Sequence, residues 1–154
     1  MNRFNKIIFV CIGNTCRSPM AATIMHAFLP EMLVESRGMV VLFPEPYNPK
    51  AVAVCSRHNM IMPSNCATEL TGEDFSNDTL VLVMNKDMKH KIYDTFATAI
   101  NVYTLGEFAG ETDVEIADPY GKGAEEYNSC FEGLYRLIEK SAEILKDNKN
   151  KEDY

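Results

Sequence analysis

The hydrophobic pattern of the chain starts with an unbroken apolar run at residues 6–12, Lys-Ile-Ile-Phe-Val-Cys-Ile, which stops at Gly13. Because this run is rich in β-branched residues and does not alternate with polar ones, it predicts a strand buried on both faces, as in a parallel sheet. Three further apolar runs predict strands, at residues 32–35, 79–84 and 100–103.

Helix signals lie between these runs. Ser18 and Pro19 are residue types that begin helices, and an apolar stretch as far as Leu29 follows them. Three further helices are predicted, at residues 49–58, 86–97 and 123–147. The last of these is amphipathic, because its apolar side chains recur at alternating steps of three and four residues.

The alternation of strands and helices predicts an α/β fold with a parallel sheet of about four strands. The chain of 154 residues has no internal repeat or linker, so we expect residues 1–154 to form a single domain. In such a sheet the ligand binds at the carboxyl ends of the strands, near the point where the strand order reverses. The loop after the first strand is therefore the expected place of the site.

Composition and charge exclude several classes of protein. Fifteen Lys and Arg against 22 Asp and Glu give a formal net charge of −7, which argues against nucleic acid or an anionic membrane as a partner. No apolar run is long enough to span a bilayer, and the amino terminus lacks a signal-peptide pattern, so we expect a cytoplasmic protein. The five cysteines form no Cys-x-x-C pair, which argues against a zinc site.

The loop after the first strand reads Cys-Ile-Gly-Asn-Thr-Cys-Arg-Ser from Cys11 to Ser18, a Cys-x5-Arg-Ser arrangement. A loop of this length between a strand and a helix can present successive backbone N–H groups, together with the positive end of the helix, to an anion. A thiolate at Cys11 is favoured beside Arg17, whose guanidinium can hold two phosphate oxygens. The loop therefore predicts a phosphate cradle in which Cys11 forms a cysteinyl-phosphate.

Two other polar residues of this loop have predicted roles. Ser18 is close enough in sequence to donate its hydroxyl to the Cys11 sulfur, and it could cap the helix instead of or in addition to this. Asn14 tolerates left-handed dihedral angles and is expected to support the loop.

The chemistry also needs an acid for the leaving group and then a base for water. The best candidate is Asp118 in the turn Asp118-Pro119-Tyr120-Gly121, although an Asp-Pro pair can also be no more than a turn. Tyr120 would supply an aromatic wall beside this carboxylate.

The loop from Cys11 to Ser18, the following Pro19 and the segment Asp118-Pro119-Tyr120 together resemble the signature of the low-molecular-weight protein tyrosine phosphatases. The resemblance covers essentially the whole chain and implies Cys11 as nucleophile, Arg17 as phosphate clamp and Asp118 as acid and then base. It also implies a flavodoxin-like phosphatase fold, a three-layer αβα arrangement with a four-stranded parallel sheet, and neither a metal nor a cofactor. The residues expected to bind phosphate or substrate are Ile12, Gly13, Asn14, Thr15, Cys16, Ser18 and Tyr120.

The chain departs from the family pattern around the loop. Ser36 stands where the family commonly keeps a serine that supports the loop through Asn14, but Asn65 replaces a histidine of that supporting network. Since Gly121 follows Tyr120 where many members carry a second aromatic residue, we expect an open rim. A Pro-rich loop at residues 43–49, between the second and third predicted strands, would supply the other wall, through Phe43 or Tyr47.

Thr15 leaves the substrate class open. We expect phosphotyrosine, but bacterial protein-arginine phosphatases of the same fold resemble this chain in Gly-Asn-Thr-Cys-Arg-Ser-Pro-Met, and a small polar wall suits a guanidinium. An arsenate reductase is disfavoured because residues 85–97 lack its relay cysteines. A phosphoprotein-binding module is disfavoured because Cys11 and Asp118 are both retained.

The expected partners are a phosphorylated protein as substrate and inorganic phosphate as product, and we expect a monomer or a weak dimer. Cys16 lies in the cradle and is a candidate for a protective disulfide with Cys11 under oxidation, as an alternative to a passive packing role.

Overall fold

The computed structural model describes residues 4–152, with side chains described through residue 149. Its centre is a parallel sheet of four strands in the order β2-β1-β3-β4. The strands are β1 (Lys6–Cys11), β2 (Leu33–Gly38), β3 (Thr79–Val83) and β4 (Val102–Thr104). Because β1 has β2 on one side and β3 on the other, its carboxyl end lies where the strand order reverses.

In residues 4–152, five α-helices connect and cover the strands. They are α1 (Arg17–Phe28), α2 (Pro49–Arg57), α3 (Lys86–Thr95), α4 (Leu105–Phe108) and α5 (Ala124–Glu152). Helices α1, α2 and α5 pack against one another, whereas α3 packs on β3 and β4. The predicted α/β architecture with a four-stranded parallel sheet is confirmed. The expectation of one domain over residues 1–154 stays a prediction.

The central strands form the core, as the unbroken apolar runs predicted. Ile7 to Val10 of β1 and Leu80 to Val83 of β3 are fully buried. A strand with helices on both faces has no solvent side, which explains why these runs do not alternate with polar residues.

β1 and β3 each end one residue before their predicted ends at 12 and 84, and the other two strands differ more from their predicted bounds. β2 runs on through Ser36 and Arg37, whose polar side chains are satisfied inside the fold, Ser36 by the Tyr47 hydroxyl and Arg37 by Glu35 and Asp74. β4 starts at Val102 rather than at residue 100, because Asn101 has a left-handed backbone with φ of 58° and cannot continue an extended strand.

The helices also differ in detail. Helix α1 begins at Arg17 with Cys16 as its N-cap residue, so the prediction that Ser18 caps the helix is wrong. Helix α4 was not predicted, and α5 continues five residues past the predicted end at 147. Among the described helices, none combines the length and the apolar character that crossing a bilayer requires.

Candidate active site

The Cys-x5-Arg loop wraps around the carboxyl end of β1, as the sequence predicted. Cys11 is the last residue of β1, and its side chain is buried against α1. Its Sγ lies 2.9 Å from Ser18 Oγ. The candidate nucleophile therefore stands at the carboxyl end of a central strand and beside the amino end of a helix.

The backbone of the loop has unused donors. Within the described residues, the N–H groups of residues 13–18 donate to no other backbone carbonyl. They form the start of α1 and the turn before it, where free N–H groups together with the helix dipole attract an anion. This is the arrangement that a phosphate cradle needs.

Asn14 holds the loop in shape. Its backbone is left-handed, with φ of 57°, and its side chain is fully buried. The amide Nδ2 donates to Ser18 Oγ over 2.8 Å, and Oδ1 accepts a hydrogen bond from the backbone N–H of Thr68 over 2.8 Å. Asn14 thus adopts the left-handed conformation that asparagine is expected to tolerate, and this amide joins the cradle to a segment more than fifty residues away.

Ser18 faces the sulfur rather than capping α1. Since Asn14 donates to its oxygen, the single hydroxyl hydrogen of Ser18 is free for the Cys11 sulfur at 2.9 Å or the Arg37 carbonyl at 3.3 Å. A thiolate accepts but cannot donate, so with Cys11 ionised the Ser18 hydroxyl is the donor of this pair.

The Ser36 side chain contacts Tyr47 rather than Asn14. Its hydroxyl is 3.4 Å from the Tyr47 hydroxyl, whereas the Asn14 side chain is held by Ser18 and Thr68. The predicted support of Asn14 by Ser36 is therefore wrong. Ser36 and Tyr47 line a separate cleft of about 240 Å³ together with Asn65, so Tyr47 is not a wall of the active site either.

Gly38 is required by a close approach between β2 and the cradle. A Cβ at this position would lie 3.0 Å from Asn14 Cβ, 3.0 Å from the Gly13 carbonyl carbon and 2.8 Å from Val41 Cγ2. The backbone of the following residues then runs beside the loop, because Met39 N–H donates to the Cys11 carbonyl. This contact positions the segment from Val40 onward at the mouth of the cleft.

Arg17 and Asp118 meet at the other side of the cleft. The Arg17 side chain is buried, and its Nη1 donates to the Ile116 carbonyl over 2.8 Å. Its Nη2 lies 3.6 Å from Asp118 Oδ2, and Asp118 Oδ1 accepts a hydrogen bond from the Tyr120 N–H. The Ile116 N–H donates to the Met84 carbonyl just after β3, which fixes this distant segment to the sheet.

These groups share one cleft of about 380 Å³. Of the predicted site residues, Asn14, Ser18 and Ser36 do not line this cleft. Asn14 and Ser18 support its loop from behind, whereas Ser36 lines the separate cleft. Phe43 lines the cleft, in agreement with one of the two predicted walls. The predicted residues that line it are Cys11, Ile12, Gly13, Thr15, Cys16, Arg17, Asp118 and Tyr120, and the lining residues that were not predicted are Val40, Val41, Leu42, Glu45 and Ala67.

A slightly larger cavity, of about 430 Å³, lies at the opposite end of the sheet, between Phe4 and Leu145. Among residues 4–149, its lining includes no cysteine and no arginine. Because it holds both Cys11 and Arg17, the cleft of about 380 Å³ is the candidate active site.

The second cysteine of the cradle is in a different environment from Cys11. Cys16 Sγ lies 3.3 Å from the hydroxyl of the buried Tyr127. Burial raises the pKa of the Cys16 thiol, and it raises the pKa of the nearby Cys130 to about 12. Both groups are therefore thiols at neutral pH.

Comparison with known proteins agrees with this geometry. The family model for low molecular weight phosphotyrosine protein phosphatases matches residues 6–152. The low molecular weight protein-tyrosine-phosphatase PtpB of Staphylococcus epidermidis is 33% identical over 135 residues, which are 88% of this chain and 95% of that protein.

Solved structures extend the similarity to the whole fold. The YwlE arginine phosphatase from Geobacillus stearothermophilus matches with a TM-score of 0.88 and 32% identity, over 95% of this chain and 96% of that one. A cysteine-to-serine mutant of a YwlE arginine phosphatase, with its active site serine phosphorylated, matches with a TM-score of 0.85 and 29% identity, over 94% and 98% of the two chains. The chain belongs to the low molecular weight phosphotyrosine protein phosphatase family and is a phosphatase.

Proposed function

We propose that this phosphatase hydrolyses phosphotyrosine in proteins through a cysteinyl-phosphate on Cys11. The observation that carries the proposal is that a cysteine beside a hydroxyl donor, a buried arginine and a half-exposed carboxylate open into one cleft. Relatives named as protein-tyrosine-phosphatases support the substrate, and the exposed rings of Phe43 and Tyr120 offer walls for a phenyl group.

Binding of the phosphate uses the cradle and Arg17. The free N–H groups of residues 13–18 donate to the phosphate oxygens. Arg17 is kept in orientation by its bond to the Ile116 carbonyl, which leaves Nη2 for the ligand. Its pair with Asp118 is half exposed and worth on the order of 1 kcal/mol or less, so a phosphate dianion can displace it.

In the first step the Cys11 thiolate attacks phosphorus. The S–P bond forms while the bond from phosphorus to the tyrosine oxygen breaks, and the bonding electrons leave with that oxygen. Asp118 in its protonated form gives its proton to the leaving oxygen, since its carboxyl group lies at the mouth of the cleft beside Arg17.

In the second step the Asp118 carboxylate takes a proton from water. The water oxygen bonds to phosphorus, the S–P bond breaks, and inorganic phosphate leaves. The hydrogen bond from Ser18 stabilises the thiolate that departs from phosphorus. The phosphorylated serine of the related mutant structure supports a covalent step at this position of the loop.

Phosphoarginine is a second candidate substrate, because Thr15 lines the cleft and a related solved structure is that of an arginine phosphatase. The threonine side chain is small and polar, and the carboxylate of Asp118 lies in the same cleft, where it can pair with a guanidinium. The chemistry is the same, except that the bond that breaks is from phosphorus to nitrogen.

The test compares kcat/KM for two peptides of one sequence that carry phosphotyrosine or phosphoarginine at the same position. A preference for phosphotyrosine of tenfold or more supports the main proposal. A preference for phosphoarginine that reverses in Thr15→Ile supports the second candidate, and Thr15→Val separates loss of the hydroxyl from added bulk. Hydrolysis of neither peptide contradicts both.

A further inference from the structure

The mouth of the cleft has a composition that the reaction itself does not require. One wall carries large exposed apolar side chains, with Leu42 88% and Phe43 63% exposed. The charged residues of the cleft are the two acids Glu45 and Asp118 and the buried Arg17. Among the described residues that line it, a site that binds a phosphate dianion thus has no lysine or histidine, and no arginine other than the buried Arg17.

Glu45 is held in a fixed place on this rim. It stands between two prolines, Pro44 and Pro46, whose rings restrict the backbone. Its N–H donates to the Phe43 carbonyl over 2.8 Å, and its own carbonyl accepts from the Ala67 N–H over 2.7 Å.

The same loop is tied to the cradle. The Asn48 N–H donates to the Thr15 carbonyl over 2.9 Å, and Pro46 forms a β-bridge with Cys66. Backbone hydrogen bonds therefore hold Glu45 in a fixed position relative to the phosphate cradle.

The Glu45 carboxylate is available to a ligand. Among residues 4–149, no Lys, Arg or His forms a salt bridge with Glu45, whereas Asp118 is paired with Arg17. The carboxylate of the nearby Glu69 already has a partner within the chain, because it accepts a hydrogen bond from the Val41 N–H. Glu45 is the acid of the rim that is left without such a role in the described structure.

We infer that Glu45 selects substrates with a basic residue close to the phosphorylated one. The cation of a Lys or Arg would pair with Glu45, while its methylene groups pack on the apolar wall of Leu42 and Phe43. The inference rests on the proposed function, because it needs a phosphorylated protein segment in the cleft. It adds a specificity residue that the chemical steps do not use.

The net charge of the protein would also favour basic substrates, so its effect must be distinguished from that of Glu45. A net charge of −7 attracts any basic peptide and repels any acidic one. A control therefore has to change the net charge equally without changing the rim. Glu143 fits, since it is exposed on α5 and does not line the cleft.

The experiment measures kcat/KM for three phosphotyrosine peptides that differ only in an Arg, Ala or Glu next to the phosphorylated residue, with the same set made in phosphoarginine. We expect the wild type to prefer the Arg peptide over the Glu peptide by about three- to tenfold at low ionic strength. The attraction of an exposed ion pair contributes up to about fivefold, and the repulsion between Glu45 and the Glu peptide adds to it. The preference should shrink as salt is added, and it should lie mainly in KM.

Glu45→Gln should reduce this ratio by about two- to fivefold, and Glu45→Lys should reduce it further or reverse it. Glu143→Lys, with the same change in net charge, should leave most of the preference in place. A ratio of two kcat/KM values does not depend on the fraction of folded enzyme, so partial unfolding of a variant does not affect it.

Equal ratios in Glu45→Lys, Glu143→Lys and wild type would overturn the inference and leave the proposed function intact. Failure of the wild type to hydrolyse any of the peptides would instead overturn the proposed function, and the inference with it.

Discussion

Cys11 Sγ lies 2.9 Å from Ser18 Oγ, and the same hydroxyl oxygen accepts a hydrogen bond from Asn14. One residue thus links the candidate nucleophile to the amide that shapes the loop around it. Because Asn14 donates to this oxygen, the Ser18 hydrogen is left for the Cys11 sulfur or the Arg37 carbonyl, and an ionised Cys11 accepts it. This relationship ties the chemistry of the cleft to the conformation of the cradle.

The first prediction concerns this contact. Ser18→Ala should lower kcat by about ten- to hundredfold, because a hydrogen bond to a charged group contributes about 1.5–3 kcal/mol. The step most affected should be hydrolysis of the intermediate, which releases the thiolate. Stopped-flow measurement with para-nitrophenyl phosphate should therefore give a burst of nitrophenolate followed by slow turnover.

A matched control exists in the same helix. Thr23 is also buried in α1, and its hydroxyl donates to the Pro19 carbonyl rather than to the sulfur. Thr23→Ala should keep a kcat close to that of wild type. Similar kinetics for the two alanine variants would contradict the role given to Ser18.

The second prediction concerns Asp118. Asp118→Ala should slow substrates with poor leaving groups by about a hundredfold or more, because general acid catalysis contributes about 10²–10⁴. Formation of the intermediate from para-nitrophenyl phosphate should change much less, since nitrophenolate leaves without a proton. The measurement is the dependence of the single-turnover rate on leaving-group pKa.

Asp113→Ala provides the comparison, because Asp113 is 96% exposed and pairs with Lys86 outside the cleft. If the single-turnover rates of both variants depend on leaving-group pKa in the same way as those of the wild type, Asp118 is not the acid.

The third prediction concerns the fit of Gly38 against the cradle. Gly38→Ala should lower the free energy of unfolding by about 1–3 kcal/mol, the usual effect of overpacking, since the new Cβ would meet Asn14, Gly13 and Val41. Activity should fall as well, because the displaced atoms belong to the loop. Urea unfolding and kcat/KM for para-nitrophenyl phosphate give the two readouts.

Gly133→Ala should have the opposite effect on stability. Gly133 lies inside α5, where a Cβ would meet only Ile116 Cδ1 at 3.7 Å, so alanine should stabilise the helix by about 0.5–1 kcal/mol. A Gly38→Ala variant as stable as the wild type would contradict the close approach of β2 to the cradle.

The fourth prediction concerns oxidation. Peroxide should convert the Cys11 thiolate to a sulfenic acid, and the Cys16 thiol should condense with it to form a disulfide and release water. Dithiothreitol should then restore activity to the wild type by reducing the disulfide, but not to Cys16→Ser, in which further oxidation of Cys11 is irreversible. Equal recovery in both proteins would mean that Cys16 does not protect Cys11.

The sequence predicted most of the cradle because the cradle is local. Cys11, Asn14, Arg17 and Ser18 lie within eight consecutive residues, so their residue types and spacing carry the information. The contacts that support the loop from elsewhere use backbone groups, such as the Thr68 N–H and the Ile116 carbonyl. Nearly every residue has a backbone N–H and a carbonyl, so the sequence does not identify Thr68 and Ile116 as the partners.

Some elements that were not predicted do have a sequence signal. Helix α4 starts with a capping box in which Thr104 and Glu107 bond to each other's backbone, and the pattern Thr-x-x-Glu is visible in the sequence. The role of Ser36 has no such signal, since its partner Tyr47 is reached only through the fold. The rim residues Leu42 and Glu45 likewise join the cleft through the pairing of β2 with β1 and the loop that follows.

The central claim is that Cys11 carries the phosphoryl group. Rapid-quench mass spectrometry of Asp118→Ala with para-nitrophenyl phosphate tests it directly, because the variant should form the intermediate and hydrolyse it slowly. We predict one phosphoryl group on the peptide that contains Cys11, together with no phosphorylation and no turnover in Cys11→Ala. Turnover by Cys11→Ala at the wild-type rate, or a phosphoryl group on another residue, would contradict the account.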